Sequence, residues 1–148
     1  MPPALLQVAV FNTHPRYRIS KKVVERYVAR VMGGRKARIT VVFVASQRAK
    51  FINRTFLNHN YVTDVISFTL EHAPVLEGEI YVNLDRARSQ AVEYGVSRAC
   101  EIARLVIHGA LHLIGFDDMQ RGKARRMKTE EDRQVKYWFG QAQERKKL

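Results

Sequence analysis

Disulfide chemistry is absent from this chain, because Cys100 is its one cysteine. That excludes a disulfide-stapled scaffold, and in the reducing, cytoplasmic setting it fits, no disulfide-linked partner is expected. Cys100 stands in an apolar helical run, about 80° around the helix from His108. It therefore reads as a small buried side chain, not a ligand. Long apolar runs are missing too: none approaches the roughly 18 residues of a membrane span. The apolar segment Leu5 to Phe11 has no basic residue before it and no small-residue cleavage site after it, so it reads as a strand and not a leader. Repeats, linkers and low-complexity tracts are absent, which leaves one domain over residues 1–148, with a charged tail at 143–148 expected to fray. Acidic residues are scarce: 14 stand against 26 Lys and Arg, a formal net charge of +12. Such an excess points to a polyanionic partner, with nucleic acid or the ribosome first.

What is present alternates between strand and helix. Residues 4–12 read as a first strand. Ser20 caps a helix bearing Val23, Val24, Tyr27, Val28 and Val31 on one face, stopped at Gly33-Gly34. Residues 38–45 form the clearest strand, its near-continuous apolar character predicting burial. Ser46 is expected to cap a second helix running to about Leu57. A loop at 58–63 leads to strands near 64–70 and 78–83, which flank a loop around Pro74. Helices follow at 85–94, 98–114 and 119–139, with Met127, Val135 and Trp138 as core contacts of the last. The sum is an α+β domain: a small mixed four-stranded sheet packed against about five helices.

The chemistry concentrates in His108-Gly109-Ala110-Leu111-His112-Leu113-Ile114-Gly115-Phe116-Asp117-Asp118. Two histidines four apart share one face of the helix. Gly115 lets the backbone reverse, and a carboxylate follows three residues later. The pattern gives one divalent ion two imidazoles and a third ligand while leaving a position open, as catalytic rather than structural sites do. The glycine spacing favours Asp118 as that ligand, with Asp117 as the competitor or as a group acting beside the ion. The metal site thus lies at the end of the central apolar helix. Zinc peptidases with an extended H-E-x-x-H motif share the spacing, but they need a glutamate after the first histidine, and Gly109 stands there. Glu101 and Arg104, one to two turns earlier, read first as an exposed ion pair and alternatively as groups that orient His108.

The same residues resemble the YbeY family of metal-dependent endoribonucleases, whose signature is H-G-x-L-H-L-x-G-Y-D-H. A second family segment is matched from Ile52 through Asn53, Phe56, Thr63-Asp64-Val65-Ile66-Ser67-Phe68 to Thr69, and a third by Gly78-Glu79-Ile80-Tyr81-Val82. The resemblance covers about residues 40–135. It implies a zinc-dependent, single-strand-specific endoribonuclease acting in ribosomal RNA (16S rRNA) maturation and ribosome quality control, with RNA and the ribosome as partners. It places one Zn²⁺ on His108 and His112, with Asp118 at the family's third histidine.

Two departures qualify that expectation. A carboxylate in place of an imidazole adds negative charge and a harder oxygen donor, which moves metal preference toward manganese or magnesium. The arginine that the family places at Leu57 is missing, so no forked phosphate clamp is available there. Arg54, one turn earlier, or His59 in the next loop could contact substrate instead, and Asp117 and His59 are the candidate proton-transfer groups. A catalytically weak, ribosome-associated maturation factor with a structural metal is the alternative reading.

Overall fold

The elements of this chain follow from where its apolar residues fall in each period. In the computed structural model, which describes residues 5–58, 62–141 and 145, the order is β1 (Leu6–Asn12), α1 (Lys21–Met32), β2 (Ala37–Val44), α2 (Ser46–Leu57), β3 (Val65–Glu71), β4 (Leu76–Asn83), α3 (Leu84–Tyr94), α4 (Arg98–Leu113) and α5 (Arg121–Phe139). The strands form one sheet in the order β1-β2-β4-β3. β1, β2 and β4 are parallel, whereas β3 runs antiparallel to β4. This is the mixed α+β architecture the sequence predicts. His59 and most of the 143–148 tail lie outside the described residues.

Ile39, Val41 and Phe43 of β2 and Ile80 and Val82 of β4 point to one face, where they are buried. The near-continuous apolar character of β2 predicts burial on both sides, and here the structure differs. Arg38, Thr40 and Val42 alternate onto the second face, which stays partly open and carries an Arg38–Glu77 ion pair between neighbouring strands. Only one face is fully covered, because α4 lies along it.

Helix α4 is the centre of the molecule. It packs on β3 and β4 and on α1, α3 and α5, and Leu105, Val106, Ile107, Ala110 and Leu111 are all buried. Cys100 is buried among them, and burial pushes its thiol up, which makes it unreactive. Gly109 permits the closest approach of α4 to the sheet: a Cβ there would lie 2.5 Å from Ile80 Cγ2 and 3.0 Å from Ser67 Oγ. Ser67 Oγ also donates to the Gly109 carbonyl. Gly109→Ala is therefore expected to destabilise by about 1–3 kcal/mol through overpacking. A fall in the melting temperature by several degrees checks it, and an unchanged value contradicts the close packing.

The start of α2 corrects one expectation. Ser46 does not cap the helix; Ala45 occupies that position and Ser46 is the first helical residue. The acceptor comes from another element instead, because the Ser46 amide donates to Asp85 Oδ2 at the start of α3. Asp85 also holds His14 Nε2 at 2.8 Å, and Asn83 caps α3 while its Nδ2 donates to the Thr63 carbonyl. This half-buried polar knot ties the β1–α1 connection, α2, α3 and the entry to β3 together. Among the described residues, no helix is long and apolar enough to cross a membrane.

Candidate metal centre

His108 and His112 emerge from the C-terminal half of α4, half-buried, with ring centroids 4.8 Å apart and Nε2 atoms 3.2 Å apart. The helix ends at Leu113, and Gly115, at φ +106°, turns the chain in a conformation that L side chains rarely adopt. The returning strand of chain is fixed by the Phe116 amide on the Leu111 carbonyl and by His112 Nδ1 against the Phe116 carbonyl at 3.1 Å. A carbonyl can only accept, so His112 carries its proton on Nδ1 and turns a bare Nε2 to the centre. Asp118 then arrives with Oδ2 3.7 Å from His108 Nε2 and 3.6 Å from His112 Nε2.

These three atoms form a small, nearly equilateral triangle. The point equidistant from them lies about 2.0 Å from each, the length of zinc–imidazole and zinc–carboxylate bonds. The donors thus fit a divalent cation held by two imidazoles and one carboxylate. His108, His112 and Asp118 are the residues the structure brings together.

A fourth residue completes the support, and the sequence reading did not single it out. Glu131, on the buried face of α5 with Met127 and Val135, holds His108 Nδ1 at 2.5 Å. A carboxylate accepts there, so His108 also presents a bare Nε2 to the triangle. Burial works against a charge on His108, but the Glu131 hydrogen bond and charge, with Asp64 and Asp118 behind them, outweigh it and raise its pKa. His112 is shifted the other way, by burial and by the charge of His108. Carboxylates that favour a proton on His108 favour any cation at that focus.

Glu131 is itself held by Arg104, whose guanidinium lies 2.6 Å from Glu131 and 2.7 Å from Asp132. This corrects the reading of Glu101 and Arg104 as an exposed pair. Both are buried, and each takes a different partner: Arg104 the α5 carboxylates, and Glu101 the side chains of Gln90 and Arg145. The physical reason is that α3 and α5 cover α4 on both flanks. A charge on the covered face must then find its partner across helices. The sequence signal was available, since Glu131 interrupts an otherwise apolar i, i+4, i+8 row.

Two hollows open beside the triangle. One, of about 500 Å³, is bounded by Asn53, Leu57, Thr63, Ser67 and His112. The other, of about 410 Å³, is bounded by Tyr94, Arg104, Lys128 and Arg145. Asp64, His108 and Asp118 border both. Leu57 presents an apolar wall where a family arginine is expected, and Arg54 is exposed without lining that hollow. Asp117 Oδ1 accepts from the Met119 amide, and its Oδ2 lies 4.0 Å from Lys123 Nζ.

Comparison with known proteins places this arrangement in context. Residues 10–138 match the family described as Endoribonuclease YbeY. The chain is 35% identical over 122 residues to an Endoribonuclease YbeY of Chlorobium phaeovibrioides, covering 82% of this chain and 81% of that protein. It is 31% identical over 145 residues to one of Salinibacter ruber, covering 89% and 92%. A solution structure of TM1509 from Thermotoga maritima superposes with a TM-score of 0.62 over 92% of this chain and 91% of that one; at 23% identity it speaks for the fold.

Proposed function

The chain belongs to the Endoribonuclease YbeY family, and from that premise we propose that it is a zinc-dependent endoribonuclease cutting single-stranded RNA. We assign it to 16S ribosomal RNA maturation and ribosome quality control in the cytoplasm. The observation that carries the catalytic part is the closed triangle of His108 Nε2, His112 Nε2 and Asp118 Oδ2 beside two open hollows. The +12 net charge supports a polyanionic substrate.

His108, His112 and Asp118 would hold the ion. When bound, it supplies Lewis acidity toward water and toward phosphoryl oxygens. The protein's own groups do the rest. Glu131 and the Phe116 carbonyl fix the two imidazoles, so that little reorganisation accompanies the reaction. Lys128 and Arg145 border one hollow while pairing with Asp132 and Glu101, and would turn their remaining donors to the substrate backbone. Leu57 gives the other hollow an apolar wall, which suits the face of a base better than a phosphate. Arg54 and Asp117 stand further out, where they serve a strand that extends beyond the hollows.

The Leu57 observation also favours a second reading, a ribosome-bound maturation factor whose ion only secures the Gly115 turn. One experiment separates the two. Purified protein is assayed for metal content and for cleavage of single- and double-stranded RNA under single-turnover conditions, before and after chelation. We expect about one ion per chain and cleavage of single strands that chelation abolishes. Ribosome binding without cleavage would favour the factor.

A further inference from the structure

Hydrolysis of a phosphodiester requires a group that takes the proton of the attacking water. The sequence reading names Asp117 and His59 for it, and His59 lies outside the described residues. Position 109 cannot hold the glutamate of the peptidase pattern, because even a Cβ there meets Ile80 Cγ2 at 2.5 Å. Asp117 is engaged by the Met119 amide and faces Lys123. Resting on the nuclease reading above, we propose that Asp64 is the proton acceptor of the reaction.

Four observations converge on it. Among the described residues, Asp64 is the one besides His108 and Asp118 that borders both hollows, so it lies beside the site from either side. Its carboxylate has no hydrogen-bond or ion-pair partner among the described residues, although it is half-buried. It is not one of the groups whose donor atoms lie within 4.8 Å of one another, so it does not complete the triangle of ligands, yet its charge reaches His108. Its backbone is pinned: the Asp64 carbonyl accepts from the Asn83 amide at 2.8 Å, and the Thr63 carbonyl accepts from Asn83 Nδ2 at 3.1 Å. Asn83 is buried and caps α3, so the start of β3 is held rigidly against the core. An unpaired carboxylate on a fixed backbone, bordering the same hollows as His108 and Asp118, has the placement a general base needs.

The step balances as a hydrolysis. The water oxygen forms a bond to phosphorus as its proton passes to Asp64. The ester P–O bond breaks with its electron pair on the leaving oxygen, which takes up a proton from solvent. Asp64 then releases its proton to solvent, leaving a phosphomonoester and an alcohol.

The test uses Asp64→Asn and Asp64→Ala in the full chain, alongside the parent, with kcat, KM for a single-stranded RNA and zinc affinity measured for each. Asp64→Asn is expected to lower kcat by roughly 10²–10⁴-fold, while KM and zinc affinity stay within about threefold. Added formate is expected to restore part of the activity of Asp64→Ala and none of that of Asp64→Asn, where the amide fills the place. A kcat within threefold of the parent overturns the proposal. So does a loss of zinc affinity that parallels the loss of kcat, because Asp64 would then serve the ion. A parent that binds zinc but cuts no RNA overturns the nuclease reading and this assignment with it; a cutting parent with an unaffected Asp64→Asn overturns the assignment alone.

Discussion

His112→Ala is expected to lose bound zinc and RNA cleavage together while keeping its fold. The imidazole is half-buried at the rim of α4, and its Nδ1 hydrogen bond to the Phe116 carbonyl tethers a surface turn, not the core. Its removal leaves two donors, His108 Nε2 and Asp118 Oδ2, 3.7 Å apart. Two donors no longer define a tetrahedral site with one open position. The loss of metal affinity should exceed the roughly 10–100-fold that follows from removing a group that merely hydrogen-bonds a ligand. Metal content by mass spectrometry, circular dichroism and single-turnover cleavage are the three measurements. Equal rates for variant and parent would end the metal-centred account, whatever the zinc content. Lost zinc with retained cleavage would show that the ion serves the fold, and lost cleavage with retained zinc would move His112 from ligand to substrate contact.

Much of this was legible along the chain because the relevant signals are local. The i, i+4 histidines and the glycine that turns the chain toward Asp118 lie within eleven residues, and a helix followed by a left-handed turn brings them to one point with little help from the rest of the fold. The α1 face with Val24, Tyr27, Val28 and Val31 was equally readable, since a helix of that period has one way to bury it. What escaped is non-local. The apolar residues of β2 do not say which face will be covered; that depends on α4, more than fifty residues later. Ser46 has the chemistry of a cap, but Asp85 reaches the α2 amide first. Glu101 and Arg104 have the spacing of an exposed pair, and they part because α3 and α5 close over them. Asp64 was visible within Thr63-Asp64-Val65, yet nothing local tells that it borders both hollows beside His108 and Asp118.

Glu131 joins stability to the site, and two substitutions there should separate the two contributions. Glu131→Ala removes one partner of a buried ion pair. Arg104, nearly fully buried, is left with Asp132, whose side chain is 48% exposed and also faces Lys128. Breaking such a pair from one side destabilises by about 3–5 kcal/mol, because the remaining charge stays in a poorly solvating place. A further contribution comes from the volume vacated between α4 and α5. Glu131→Gln keeps the volume and an oxygen able to accept from His108 Nδ1, but it removes the charge. With its oxygen on His108, its amide nitrogen faces Arg104, so it should share the ion-pair part of the destabilisation and lack only the cavity part, and it should weaken zinc by roughly 10–100-fold, since the basicity that Glu131 lends to His108 depends on that charge. Chemical denaturation gives the stabilities and competition with a chelator gives the affinities. If Glu131→Gln binds zinc as tightly as the parent, the carboxylate only braces Arg104. If Glu131→Ala is as stable as the parent, Arg104 finds its compensation in Asp132 and solvent, and the pair contributes little to holding α5 on α4. The expected outcome, loss of affinity and stability in both variants with the larger loss of stability in Glu131→Ala, follows from a single carboxylate whose two oxygens face different tasks: Oε2 toward Arg104 at 2.6 Å and Oε1 toward His108 at 2.5 Å.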